Sequence, residues 1–218
     1  MHIQIALFDG FDPLDALGPY EVLWAASLFT EEPVSVELAS VDGPRSVPSG
    51  SGLFLDTNAQ LNPAVADVIV VPGAAGRVGG EDEETAEGTI PVLLSRTLAT
   101  GLPEVLRTAL GSERTTVACV CGGTLIPAMA GLIEGRPAVT HHLGMDLLDA
   151  TGVRAIKARI VDDGNLISAG GVTSGLDLGL YVVERFIGPR IAHAVEDLFE
   201  FERRGVVWTS RGPEACAL

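Results

Sequence analysis

The segment TTVACVCGGTLIPAMAGLIEG, residues 115–135, constrains the fold more than any other stretch of the chain. Residues 115–120 form a β-branched apolar run with no polar alternation. Such a run fits a strand buried on both faces, which places it inside a parallel sheet covered by helices on each side. Cys121 ends the run, Gly122 and Gly123 follow, and the next apolar segment has helical character. A cysteine therefore stands where a strand turns into a helix, with almost no side chains beside it.

The remaining segments extend this reading. IQIALF (3–8) is a short apolar run before Asp-Gly and reads as a buried first strand. LGPYEVLWAASLF (17–29) reads as a helix with Pro19 in its first turn. VSVELASV (34–41) alternates like a strand, SVPSGSGLFLDTN (46–58) reads as turn then strand, and ADVIVVPGAAG (66–76) as a buried strand entering a glycine-rich loop. The acidic run GGEDEETAEGT (79–89) reads as solvated surface. A helical stretch follows, interrupted at Gly101-Leu102-Pro103. GTLIPAMAGL is the helix after Cys121, PAVTHH (137–142) a short strand, and LGMDLLDATG a helix closed by Gly152. RIVDDGNLISAG (159–170) is a hairpin around Asp163-Gly164, and two helices complete the pattern, the second opened by Pro189. Strands alternating with helices predict an α/β fold: a three-layer sandwich with a mostly parallel central sheet. One domain over residues 1–205 with a tail at 206–218 is the simplest division.

Composition excludes several functions. Of 218 residues, 14 are Lys or Arg and 29 are Asp or Glu, a net charge of −15. That surface repels phosphate backbones and anionic membranes, so neither nucleic acid nor a membrane is an expected partner. No run of about 18 uncharged apolar residues is present to span a bilayer. The start MHIQIALFDGFDPLD lacks a basic leader, so no signal peptide is expected. Cysteines occur only at 119, 121 and 216, an odd number without a framework, which predicts reduced thiols in the cytoplasm.

A cysteine at a strand-to-helix turn projects from the carboxyl edge of the sheet, where open α/β folds bind ligands. Nearby helix N–H groups would lower its pKa. Small neighbours would admit substrate. Cys121 is therefore a candidate nucleophile, against the alternative of a small buried hydrophobe. Cys119, two residues earlier, shares its face in a strand and reads as a core residue or a redox partner. Asp15 stands at the opening of the first helix as a cap or first-turn acid, and Glu21 reads as surface. His141 and His142 are adjacent, so in a strand they point apart and make a poor metal pair. His2 and His193 carry no pattern. Thr173 and Asp177 read as caps of the following helix, with Thr173 a secondary pocket candidate.

Four segments, IALFDGFDPLDALGPYEVL, ADVIVVPGAAG, ACVCGGTLIPAMAGLIEGRPAVTHH and DGNLISAGGVTSGLDLGLYVVE, resemble the ThiJ/PfpI superfamily in order over about residues 3–190. Its fold is flavodoxin-like and related to the class I glutamine amidotransferases. Within it the likeness is to the isonitrile hydratase branch, through LDALGPYEVL and GRPAVTHH. The resemblance implies a cysteine-dependent conversion of an isocyanide and water to an N-substituted formamide. Cys121 would be the nucleophile and Asp15 the acid. Backbone N–H groups around Gly73-Ala74 and of Gly122 would line an anion pocket, and His141, His142 and Thr173 would lie near it. No cofactor and no metal are implied. The implied partners are a small-molecule isocyanide and a second copy of the chain in a homodimer.

The sequence also departs from that branch. Gly122 replaces a threonine, His142 a tryptophan, and Ala74 the second glycine after Pro-Gly. Protease-like and glyoxalase-like relatives carry a histidine directly after the nucleophile, so Gly122 disfavours those activities. The superfamily also includes binding-only sensors and oxidation-sensing stress proteins, in which the cysteine becomes a sulfinate.

Overall fold

The apolar runs assemble edge to edge. A computed structural model of the chain describes residues 1–79 and 87–213; most of the acidic run and Cys216 lie outside the described residues. The strands, in chain order, are β1 (His2–Ala6), β2 (Ser35–Ser40), β3 (Ser46–Pro48), β4 (Phe54–Asp56), β5 (Ala59–Gln60), β6 (Val68–Val71), β7 (Thr116–Val120), β8 (Pro137–Ala138), β9 (Arg154–Ala155), β10 (Ile160–Asp162), β11 (Leu166–Ala169) and β12 (Trp208–Thr209). The helices are α1 (Pro13–Ala26), α2 (Ile90–Thr97), α3 (Leu102–Leu110), α4 (Leu125–Met129), α5 (Met145–Ala150), α6 (Ser174–Phe186) and α7 (Pro189–Phe199).

Among the described residues the main sheet has eight strands in the order β12-β10-β11-β7-β6-β1-β2-β5, and every pairing is parallel except β10 with β11. The register sets Ile5 beside Val70, Val70 beside Ala118 and Ala118 beside Ile167. All four residues are buried, as strands covered on both faces require. On the helical layers, α1 packs along α6 and α6 on α7, while α2 and α3 both pack against α4. The protein is a single α/β domain with a mostly parallel central sheet flanked by helices.

Four local expectations differ from the structure. First, α1 begins at Pro13, because the Asp12 side chain accepts the Leu14 N–H at 2.9 Å and Pro13 supplies a preset φ. Pro19 is thus inside the helix and leaves the Asp15 carbonyl without its i+4 donor. Second, the helix after Cys121 is a single 3₁₀ turn (Cys121–Thr124) followed by five α residues. Third, the strand at 137–142 stops at Ala138, and His142 opens a 3₁₀ turn, so the two histidine rings meet with centroids 4.3 Å apart instead of pointing to opposite faces. Fourth, Trp208–Thr209 in the tail pairs with β10 and becomes the edge strand. Two residues paired at an edge leave no periodicity for a sequence reading to detect.

Candidate active site

The carboxyl ends of β1, β6 and β7 meet at one point, and three chain segments are fastened there. Cys121 sits just past β7 with φ +54°, in the left-handed region that a side chain rarely occupies. Two bonds hold that conformation: the Cys121 N–H donates to the Gly170 carbonyl at 2.9 Å, and the Thr140 hydroxyl donates to the Cys121 carbonyl at 2.7 Å. Gly123 is required by close approach, since a Cβ there would lie 2.2 Å from the Val71 carbonyl oxygen. The turn therefore projects the thiol outward while its backbone presses on the end of β6.

Gly73, in the loop after β6, joins the elbow to α1. Its N–H donates to Asp15 Oδ2 at 2.9 Å, and its carbonyl accepts the Asp12 N–H at 2.8 Å. A Cβ on Gly73 would lie 2.7 Å from Asp15 Oδ2 and 2.8 Å from the Gly122 nitrogen. Only glycine lets the carboxyl and the elbow come this close. The Gly73 N–H, expected among the pocket donors, is thus taken by Asp15, while the Gly122 N–H points to the Cys121 sulfur.

Asp15 is fully buried, and its Oδ1 has no hydrogen-bond partner. Burial, and then the neighbouring Asp12 carboxylate, push its pKa from 3.8 up to about 8, against the opposing pull of the Gly73 N–H and the Cys121 thiol. Burial, and then Asp15, push the Cys121 thiol up to about 12, although the Gly122 N–H favours the thiolate. The expected lowering by a helix terminus does not occur. The helix is too short to present a developed dipole, and desolvation outweighs one amide. Burial thus favours the uncharged form of both groups. Cys119, wholly buried in β7, is also pushed up to about 12 by burial and is part of the core.

Above the pair opens a cavity of about 460 Å³. Ile90, Leu94, Leu125, Met129, Leu143 and Leu147 wall it. Its polar lining is Asp12, Thr140 and His141, with Cys121 itself 9% exposed. His141 Nδ1 accepts the Leu143 N–H at 3.3 Å, and burial, then His142, lower its pKa. Ala74 and Gly122 line the cavity as well. His142 does not; it lines a neighbouring shallow cleft with Lys157 and Arg159. Thr173 also lies outside the lining, its hydroxyl accepting from Arg159 at 3.2 Å, and Val172 takes the position against the cavity. Neither Thr173 nor Asp177 caps α6 through its side chain; the Asp177 carboxylate is bound by Arg159. Glu21 is exposed. Among the described residues no cluster of His, Cys, Asp and Glu has metal-binding geometry, and no helix is long and apolar enough to cross a membrane.

Sequence reasoning missed Asp12, Thr140 and Leu94. A signal existed only for Asp12, in the pair of aspartates spaced three apart at a helix start. Thr140 and Leu94 reach the site from remote segments.

The DJ-1/PfpI family profile matches residues 1–185. The chain belongs to the DJ-1/PfpI family. Among curated members of that family, it is 35% identical over 204 residues to the isonitrile hydratase of Pseudomonas putida, covering 92% of this chain and 78% of that protein. It is 24% identical over 199 residues to DJ-1 homolog A of Arabidopsis thaliana, covering 90% of this chain and 45% of that one. Among solved structures, DJ-1beta of Drosophila melanogaster superposes with a TM-score of 0.75 at 17% identity, over 92% of this chain and 98% of that one. A ThiJ/PfpI family protein of Pseudomonas syringae gives 0.73 at 22% identity, over 93% and 76% of the two chains. The likeness to these structures is one of overall fold.

Proposed function

We propose that the protein is an isonitrile hydratase acting on a small, uncharged, apolar isocyanide. The observation that carries this reading is a fully buried carboxyl, its pKa raised by burial, beside a strained thiol at the floor of an apolar cavity. An isocyanide presents a terminal carbon that takes up a proton and then accepts a nucleophile, so it needs an acid and a thiol at one point. Asp15 gives its proton to that carbon, and the Cys121 sulfur bonds to it as its own proton passes to the Asp15 carboxylate. The product is a thioimidate, R–N=CH–S–Cys, with Asp15 protonated again. Water adds to the C=N bond, and collapse expels the Cys121 thiol and the N-substituted formamide, R–NH–CHO. The chemistry consumes one water and uses no cofactor.

The raised thiol pKa fits this cycle. A thiolate beside Asp15 would oppose the carboxyl's next ionisation, whereas a neutral pair can transfer both protons in one passage. It also weighs against the oxidation-sensing reading, because oxidation starts from an exposed, low-pKa thiolate. Incubation with cyclohexyl isocyanide and mass spectrometry for N-cyclohexylformamide tests the proposal. Formamide dependent on Cys121 supports it. Saturable binding without formamide would leave a binding-only sensor, a reading favoured by the missing hydroxyl at Gly122.

The proposed assembly is a cytoplasmic homodimer. Trp24, Leu28 and Phe29 on and just after α1 are exposed, as is Phe54 in β4. Light scattering should return twice the 22.7 kDa of one chain; a monomer at micromolar concentration refutes the dimer.

A further inference from the structure

Asp12 lies at the N-cap of α1 and Asp15 at the third helical position, so one turn places their side chains on the same face. A capping box would use the second acid to close back on the cap N–H. Here Gly73 intervenes, accepting the Asp12 N–H and donating to Asp15. The two carboxyl groups thus stand one helical turn apart, one half-buried at the cavity wall and one fully buried. We propose that Asp12 is a positioning residue that keeps the proton on Asp15, by holding a negative charge against it.

The other groups around Asp15 leave this role to Asp12. The elbow presents Cys121, and the Gly73 loop presents backbone alone at that point. From α6, packed along α1, Gly175 and Gly179 face Pro19 and Val22, and Asp177 is held by Arg159 and the Arg204 N–H. On α7, Glu196 binds Arg203 and lies near His193, and on β2, Glu37 is matched by His2 and Gln4. On α1 itself Glu21 is solvated. His141 lines the same cavity and has its pKa lowered by burial and His142. Asp12 also has an ordinary duty, accepting the Leu14 N–H, and asparagine or serine can perform that duty without charge. Cap and charge are therefore separable by substitution.

The test titrates Asp15 directly, with carboxyl carbon-13 NMR of the full chain, its signal assigned by its absence in Asp15→Asn. The variants are Asp12→Asn and Asp12→Ser, which keep a cap and lose the charge, and Asp12→Glu, which keeps the charge. In the first two, the Asp15 midpoint should fall by about one pH unit, and in the third it should stay with the parent. The hydratase reading adds a second measure: the alkaline limb of formamide production should move by the same amount, an activity loss of about tenfold at pH 9. If the parent makes no formamide, the hydratase reading fails while the carboxyl titration still decides the role of Asp12. An unmoved midpoint in folded Asp12→Asn or Asp12→Ser, or loss of fold in both, would make Asp12 a cap alone and overturn the inference.

Discussion

Two aspartates are buried to the same depth and provided for in opposite ways. Asp177 on α6 is 1% exposed, and Arg159 donates to its Oδ2 twice, at 2.9 and 2.5 Å, while the Arg204 N–H donates to its Oδ1 at 2.7 Å. Asp15 on α1 is 0% exposed, receives one backbone N–H, has one oxygen without a partner and faces another carboxylate. The first arrangement stabilises a charge and ties the β9–β10 loop and the segment after α7 to α6. The second opposes a charge and so keeps a proton available. Burial alone gives an aspartate neither role; the donors supplied to it decide.

The largest expected effect breaks the second arrangement. Asp15→Asn removes the transferable proton and should cut formamide production at least about 100-fold. Its stability should change with the opposite sign. The folded pKa lies above the unfolded 3.8, so the folded state holds the proton longer and the parent loses stability as pH rises from about 4 to about 8. Asp15→Asn escapes that loss, and its melting temperature should gain on the parent across that window. Parallel melting curves for both proteins would contradict the raised pKa.

Breaking the first arrangement should do the reverse. Asp177→Asn removes the charge that Arg159 meets, with Arg159 itself one-quarter exposed and able to regain water. The expected cost is about 2–3 kcal/mol in urea unfolding, with turnover per folded molecule unchanged. A loss of turnover matching that of Asp15→Asn would merge the two roles.

Gly73→Ala probes the clasp. Its Cβ would overlap Asp15 Oδ2 and the Gly122 nitrogen, so a loss of about 1–3 kcal/mol and a fall in turnover are expected together. Iodoacetamide should label Cys121 before the fully buried Cys119, and its rate should still be climbing at pH 9, as the raised thiol pKa requires. A plateau below pH 8 would restore the activated thiolate. The smallest effect is expected from Gly122→Thr, whose Cβ would come tightly against one terminal methyl of Leu94, at 3.1 Å, and make ordinary contact with the Gly73 Cα, at 3.8 Å. That methyl can shift, so stability should change by less than about 1 kcal/mol. Turnover on a series of isocyanides would then report what a hydroxyl adds.

The sequence by itself determined the layers. Short apolar runs rich in β-branched residues, such as TTVACV, fit strands buried on both faces, and the intervening periodic segments fit the helices that cover them. It also located the elbow, because Cys-Gly-Gly after such a run is a local pattern, and residues near in sequence set a local turn. Tertiary structure decided everything that depends on distance through space. Asp15 meets Cys121 across more than a hundred residues because Gly73, from a third segment, bonds to α1 and touches the elbow. The thiol's pKa rose where the sequence implied a fall, since a helix following in sequence can be counted but the water excluded by remote side chains cannot. For the same reason α1 could be read as a helix with an acid near its start, whereas the protonation of that acid came from the elements folded around it.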